Sequence, residues 1–235
     1  MPIIHVVEKK KEGRKKVKKI VLATILLSAV GLGSTVVHAE DLKGTSTAKI
    51  GLSQQDPDHP VGPIDPVDPD DDPNSNDPTG NTGVLRIDYI SNIDFGKQTI
   101  SGSTQTYAAQ KPALRTEAQV SDLRGTGASW NLQVNYDSEN SGFQTQSGQT
   151  LKGAQLTLPV GTLKTVENNQ SAAPTTSTVV VNTDAQNIMT SDANTGLGTW
   201  ADQMNTSEVS LQVPSGNLAG DYTATLEWTL TDAPA

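Results

Sequence analysis

GDYTATLEWTLTDAP, residues 220–234, carries the pattern that decides the fold. It opens on a turn-forming Gly-Asp pair. Tyr222, Ala224, Leu226, Trp228 and Leu230 then fall on every second position, with Thr223, Thr225, Glu227, Thr229 and Thr231 between them. A period of two is that of a strand with one dry face and one wet face. An earlier stretch, SWNLQVNY at residues 129–136, repeats the pattern with Trp130, Leu132, Val134 and Tyr136 on one face. Each stretch contains Trp-x-Leu: Trp130, Asn131, Leu132 in one and Trp228, Thr229, Leu230 in the other.

Working outward, other short alternating runs occupy the carboxy-terminal part. Residues 84–90 place Leu85, Ile87 and Tyr89 on one face, and residues 114–120 alternate less cleanly. Residues 154–160 offer Leu156, Leu158 and Val160, residues 177–181 are β-branched, and residues 208–213 offer Val209, Leu211 and Val213. Turn-forming Gly, Ser, Asn and Pro clusters separate them. The one candidate helical turn is TWADQM, residues 199–204. Many short strands with such turns predict an all-β fold, an antiparallel β-sandwich or barrel-like domain.

Three segments precede it. Residues 1–39 read as a secretory signal, with eight Lys or Arg, an apolar run over 20–30 and a small-residue site ending at Ala39. Cleavage is expected between Ala39 and Glu40, leaving no stable membrane anchor; the competing reading is an uncleaved span. Residues 40–55 read as a flexible mature amino terminus, although Ala48, Ile50 and Leu52 alternate like an edge strand. Residues 56–83 hold eight aspartates, seven prolines and no Lys or Arg, the composition of a disordered, extended acidic linker. Its Asp68, Asp70, Asp71 and Asp72 lack the bend and spacing of a calcium loop. Residues 84–235 are then the folded domain.

Charge and residue types narrow the function. The chain has net charge −9, and removing a leader with eight basic and two acidic residues leaves −15. That sign argues against nucleic acid as a partner. It argues in the same way against simple electrostatic adsorption to an anionic envelope. Without cysteine there is no disulfide framework, so a sheet core must hold the domain. The three histidines, His5, His38 and His59, all precede residue 84. The folded domain therefore lacks Ser-His-Asp and Cys-His arrangements and the usual zinc ligands. Glu117, Asp122, Asp137 and Glu139 do not stand out as a glycosidase pair. No enzyme activity, metal or cofactor is expected.

The domain resembles the WxL domain of low-GC Gram-positive surface proteins. The resemblance rests on LRIDYISNIDFG (85–96), VSDLRGTGASWNLQV (120–134), GLGTW (196–200) and VSLQVPSGNLAGDYTATLEWTLTDAP (209–234), in that order. It implies a secreted protein held non-covalently on the cell wall, with peptidoglycan or another wall polymer as ligand. It also leaves room for a structural subunit that joins other cell-surface proteins in a complex. No Leu-Pro-x-Thr-Gly motif or hydrophobic tail follows Leu230, which fits attachment by contact. Among the site candidates, Trp130 and Trp228 read as core because Leu132 and Leu230 share their faces. The alternative is a sugar-stacking platform. Trp200, in a Gly-rich stretch, reads equally as a ligand contact or a cap on the sandwich. Arg115 and Arg124 either clamp a ligand carboxylate or pair with Glu117 or Asp122 at the surface.

Overall fold

A computed structural model of the chain describes residues 46–54, 56, 62–64, 66, 78–111, 116–139 and 141–232. The expected signal, its Ala39–Glu40 cleavage site and Arg115 lie outside these residues. Residues 46–54 have no regular secondary structure and are exposed. The strands all belong to the compact unit Ile50–Ala235.

Among the described residues, twelve strands form three antiparallel four-stranded sheets. In chain order they are β1 (Leu85–Ile90), β2 (Gln105–Ala108), β3 (Thr116–Asp122), β4 (Trp130–Tyr136), β5 (Gln155–Leu158) and β6 (Thr162–Thr165). Then come β7 (Thr175–Thr176), β8 (Val179–Val180), β9 (Gln186–Ser191), β10 (Gly198–Met204), β11 (Ser210–Val213) and β12 (Leu226–Asp232). The sheet orders are β1-β3-β10-β6, β2-β11-β5-β8 and β12-β4-β9-β7. A single 3-10 turn, Thr206–Glu208, leads into β11, with the Asn205 side chain accepting from the Ser207 N–H. The fold is all-β and antiparallel, as the alternation predicts.

All three sheets feed one hydrophobic core. Ile87, Val120 and Trp200 enter from the first sheet, Leu156, Leu158 and Leu211 from the second, and Trp130, Leu132, Val134 and Met189 from the third. β4 is the pattern in its cleanest form: Trp130, Leu132, Val134 and Tyr136 are buried, and the residues between them are half-buried. The backbone around Trp130 is fitted to its ring. Gly196 has φ 65°, and a Cβ there would stand 2.7 Å from Ser191 Oγ and 3.0 Å from Trp130 Cζ2. Only glycine takes that conformation at that distance without strain.

Four local expectations change. Residues 199–204 are not a helical turn but most of β10, a central strand paired with β3 on one side and β6 on the other. Long-range pairing overrides a weak local preference there. In β1 the register slips between Ile87 and Tyr89, so Tyr89 stands opposite Gln119 while Ile87 stands opposite Val120. That bulge breaks the expected single face of Leu85, Ile87 and Tyr89, and Arg86, Ile87 and Asp88 are buried in succession. Val160 is exposed because β5 stops at Leu158, before Pro159. Finally, Trp228 and Leu230 are not fully enclosed: both pack against the core from its margin and are half-buried. β12 ends its sheet, with β4 on one flank and, among the described residues, no paired strand on the other. An edge strand cannot enclose its inward residues as a central strand does.

Candidate functional site

The register joins the two Trp-x-Leu motifs. β12 runs antiparallel to β4 with Leu230 opposite Leu132, Trp228 opposite Val134 and Asp232 opposite Trp130. The motifs therefore overlap at a Leu–Leu pair and extend from it in opposite directions, each tryptophan on the same face of the sheet. Directly opposite side chains on such a pair are in contact range. Their environments differ. Trp130 is fully buried, and its indole N–H has no hydrogen-bond partner among the described residues. Trp228 is half-buried and borders two concavities.

The larger concavity is a groove of about 1080 Å³. One wall is the connection after β1, residues 90–101, and the other is the chain from Pro214 to Trp228. Phe95, Tyr107, Phe143, Tyr222 and Trp228 supply its aromatic lining, with Leu156 and Leu211 beside them. Both walls are braced. Asp94 exchanges backbone hydrogen bonds with the Gln110–Lys111 segment and accepts from the Gly96 N–H through its side chain at 2.7 Å. Phe143 is held edge-on by Phe95 and Tyr136, at ring separations of 6.5 and 6.3 Å. On the other wall, Asn217 accepts from the Lys152 N–H at 2.7 Å and donates to the Pro214 and Lys152 carbonyls. Tyr222 donates its hydroxyl to the Leu218 carbonyl at 2.9 Å and also contacts the Gln149 amide. Ile100 and Leu218 stand exposed at the groove mouth. Asp94, Lys97 and Asp221 are its charged lining. A preformed concave surface mixing aromatic faces with amides and a few charges is suited to binding.

The remaining candidates fall elsewhere. Trp200 is buried in β10, and its indole N–H donates to the Leu197 carbonyl at 3.0 Å. Arg124 is buried against Asp122, with Nε to Oδ1 at 3.0 Å and Nη2 to Oδ2 at 2.8 Å, and it donates to the Ala128 carbonyl. It also meets Asp232 at the end of β12. These carboxylates, Asp122 first, raise the guanidinium's pKa. Arg124 thus fastens the β3–β4 connection to the last strand. Asp202 is fully buried in β10, opposite Ala118 and Leu163. Neither carboxylate oxygen has a well-formed hydrogen bond, although the Gly161 backbone N–H lies close enough to offset part of the effect of burial. Burial pushes this carboxyl up to about 7. Among the described residues no group of three metal-ligating side chains converges.

The sequence does not reveal Tyr107, Phe143 and Tyr222 as groove residues. Tyr107 sits in a four-residue strand, Phe143 is outside any strand, and Tyr222 precedes the start of β12. Only the fold brings them to one surface.

An all-β domain with a braced aromatic groove at a sheet edge belongs to the class of binding modules. A family model described as WxL domain, surface cell wall-binding, matches residues 39–234. The chain belongs to this family and is a cell-surface protein that binds the cell wall non-covalently. Comparison with curated proteins and with solved structures gave no match. Among the described residues no helix is long and apolar enough to cross a membrane.

Proposed function

We propose that the groove beside β12 is the wall-contact surface and that its ligand is peptidoglycan. The observation that supports this is the unequal burial of the two motif tryptophans: Trp130 is enclosed, whereas Trp228 borders an open groove with Tyr107, Phe143 and Tyr222. Aromatic faces take the apolar faces of sugar rings, and neighbouring amides and carboxylates take hydroxyl groups. Binding through such contacts does not require a basic domain, which suits an acidic protein on an anionic wall. We read the same surface as a binding site: the folded domain contains neither histidine nor cysteine, and of the groove's two aspartates, Asp94 is engaged by the Gly96 N–H.

Purified protein-stripped sacculi test the ligand. The mature protein is expected to sediment with them and to be displaced by soluble peptidoglycan fragments. Retention on intact cells together with release into the supernatant from stripped sacculi would instead assign attachment to a partner surface protein.

A further inference from the structure

The outer face of β3 holds a buried polar layer that the wall-binding groove does not use. Every residue of β3 is buried, including Glu117, Gln119 and Ser121, which alternate with the core residues Ala118 and Val120. Polar groups in such a position are costly unless they are hydrogen-bonded. Asp88, brought inward by the β1 bulge, is the hub. Its carboxylate accepts from Arg86 Nε at 2.7 Å, Ser121 Oγ at 2.6 Å and Gln119 Nε2 at 3.1 Å. Ser121 shares a further hydrogen bond with Thr199 of β10 at 2.7 Å.

Part of the cover comes from the acidic, proline-rich stretch. Gln119 Nε2 also donates to the backbone carbonyl of Ile64 at 3.0 Å, a contact across 55 positions of sequence. Pro63 and Pro66 are half-buried, while Ile64 is 47% exposed. Recognition is therefore through the main chain. Farther along, the Thr79 N–H donates to the Asp88 carbonyl at 2.8 Å, and its hydroxyl contacts the Ile87 carbonyl. Arg86 Nη1 donates to the Gly83 carbonyl at 3.0 Å. Proline removes backbone donors and leaves carbonyls, which matches a trough presenting side-chain N–H groups.

We infer that the outer face of β3 is a binding site for an extended, proline-containing main chain, occupied here by residues 62–64 and 66 of the same chain. Pro63, Ile64 and Pro66 are thus docked on this sheet, and Gln119 is their anchor.

The lack of cysteine permits a direct test on the full chain. A nitroxide is attached to Ile64→Cys, at a position that is 47% exposed, and backbone amide resonances are recorded. The amides of Gln119, Ser121 and Thr199 are expected to lose most of their intensity. Gln119→Met, which keeps size but removes the donor, is expected to restore it while other resonances stay in place. The same broadening is expected to vanish when nitroxide-bearing chains without isotope label are mixed with isotope-labelled chains without nitroxide. An unbroadened β3, broadening unaffected by Gln119→Met, or broadening that passes between chains would each overturn docking in cis. Should Gln119→Met fail to fold, Gln119→Leu supplies the donor-free variant, with the same expected restoration.

Discussion

Trp130→Ala is expected to lower the unfolding free energy by about 3–5 kcal/mol, the usual range for a buried tryptophan truncated in a packed core. Trp130 is fully buried, shares its face with Leu132 and Val134, and is closed over by Gly196. No collapse refills that volume easily, because Gly196 is held in a left-handed conformation by its own turn. Urea denaturation at neutral pH checks the value. A loss below about 1 kcal/mol would mean that the site relaxes around the cavity, contrary to close packing. Any loss of wall binding in this variant is expected to follow the loss of folded protein.

The second large effect is a dependence of stability on pH set by Asp202. Its folded-state value of about 7 lies above the ordinary 3.8. The native state therefore holds this proton more tightly than the unfolded chain does. Below about pH 4 both states are protonated and no ionisation penalty exists. As pH rises from there to about 7, the unfolded chain ionises first and stability falls; above 7 the loss is complete. A shift of this size corresponds to about 4 kcal/mol at 1.36 kcal/mol per unit. Asp202→Asn removes the titration. Relative to the parent, the variant is expected to gain stability progressively between pH 4 and pH 8, read from urea curves at each pH. A stability difference that stays flat across that window would show that the Asp202 carboxyl is not held protonated.

These two residues also mark how far the sequence can be read. β4 and β12 are visible because each buries one face and wets the other, so the period of two survives in Trp130–Tyr136 and Leu226–Leu230. β10 is misread because Trp200, Asp202 and Met204 share a buried face that contains a carboxylate, and no hydrophobicity pattern predicts a buried Asp202. β3 is blurred because both of its faces are covered, so polar Gln119 and Ser121 are as buried as Val120. The bulge at Asp88 is silent in sequence, yet it brings the carboxylate into the layer that takes the Ile64 carbonyl. Of the candidate site, Trp228 is legible by its motif. Its exposure is not, because that depends on β12 lying at the end of a sheet. Tyr107, Phe143 and Tyr222 come from three separated segments and share nothing local.

The unequal roles of the two tryptophans are the centre of the account. Trp130 organises the core, and Trp228 is the residue proposed to face the wall polymer. The measurement that tests this most directly pairs thermal unfolding of Trp228→Ala with its sedimentation on stripped sacculi. Removal of the half-buried ring is expected to cost only about 1–2 kcal/mol, in proportion to the apolar area it covers. Sacculus binding is expected to weaken by tenfold or more, about 1.4 kcal/mol at least, while the domain stays folded. A variant that is folded and binds sacculi as tightly as the parent would contradict the assignment of the groove.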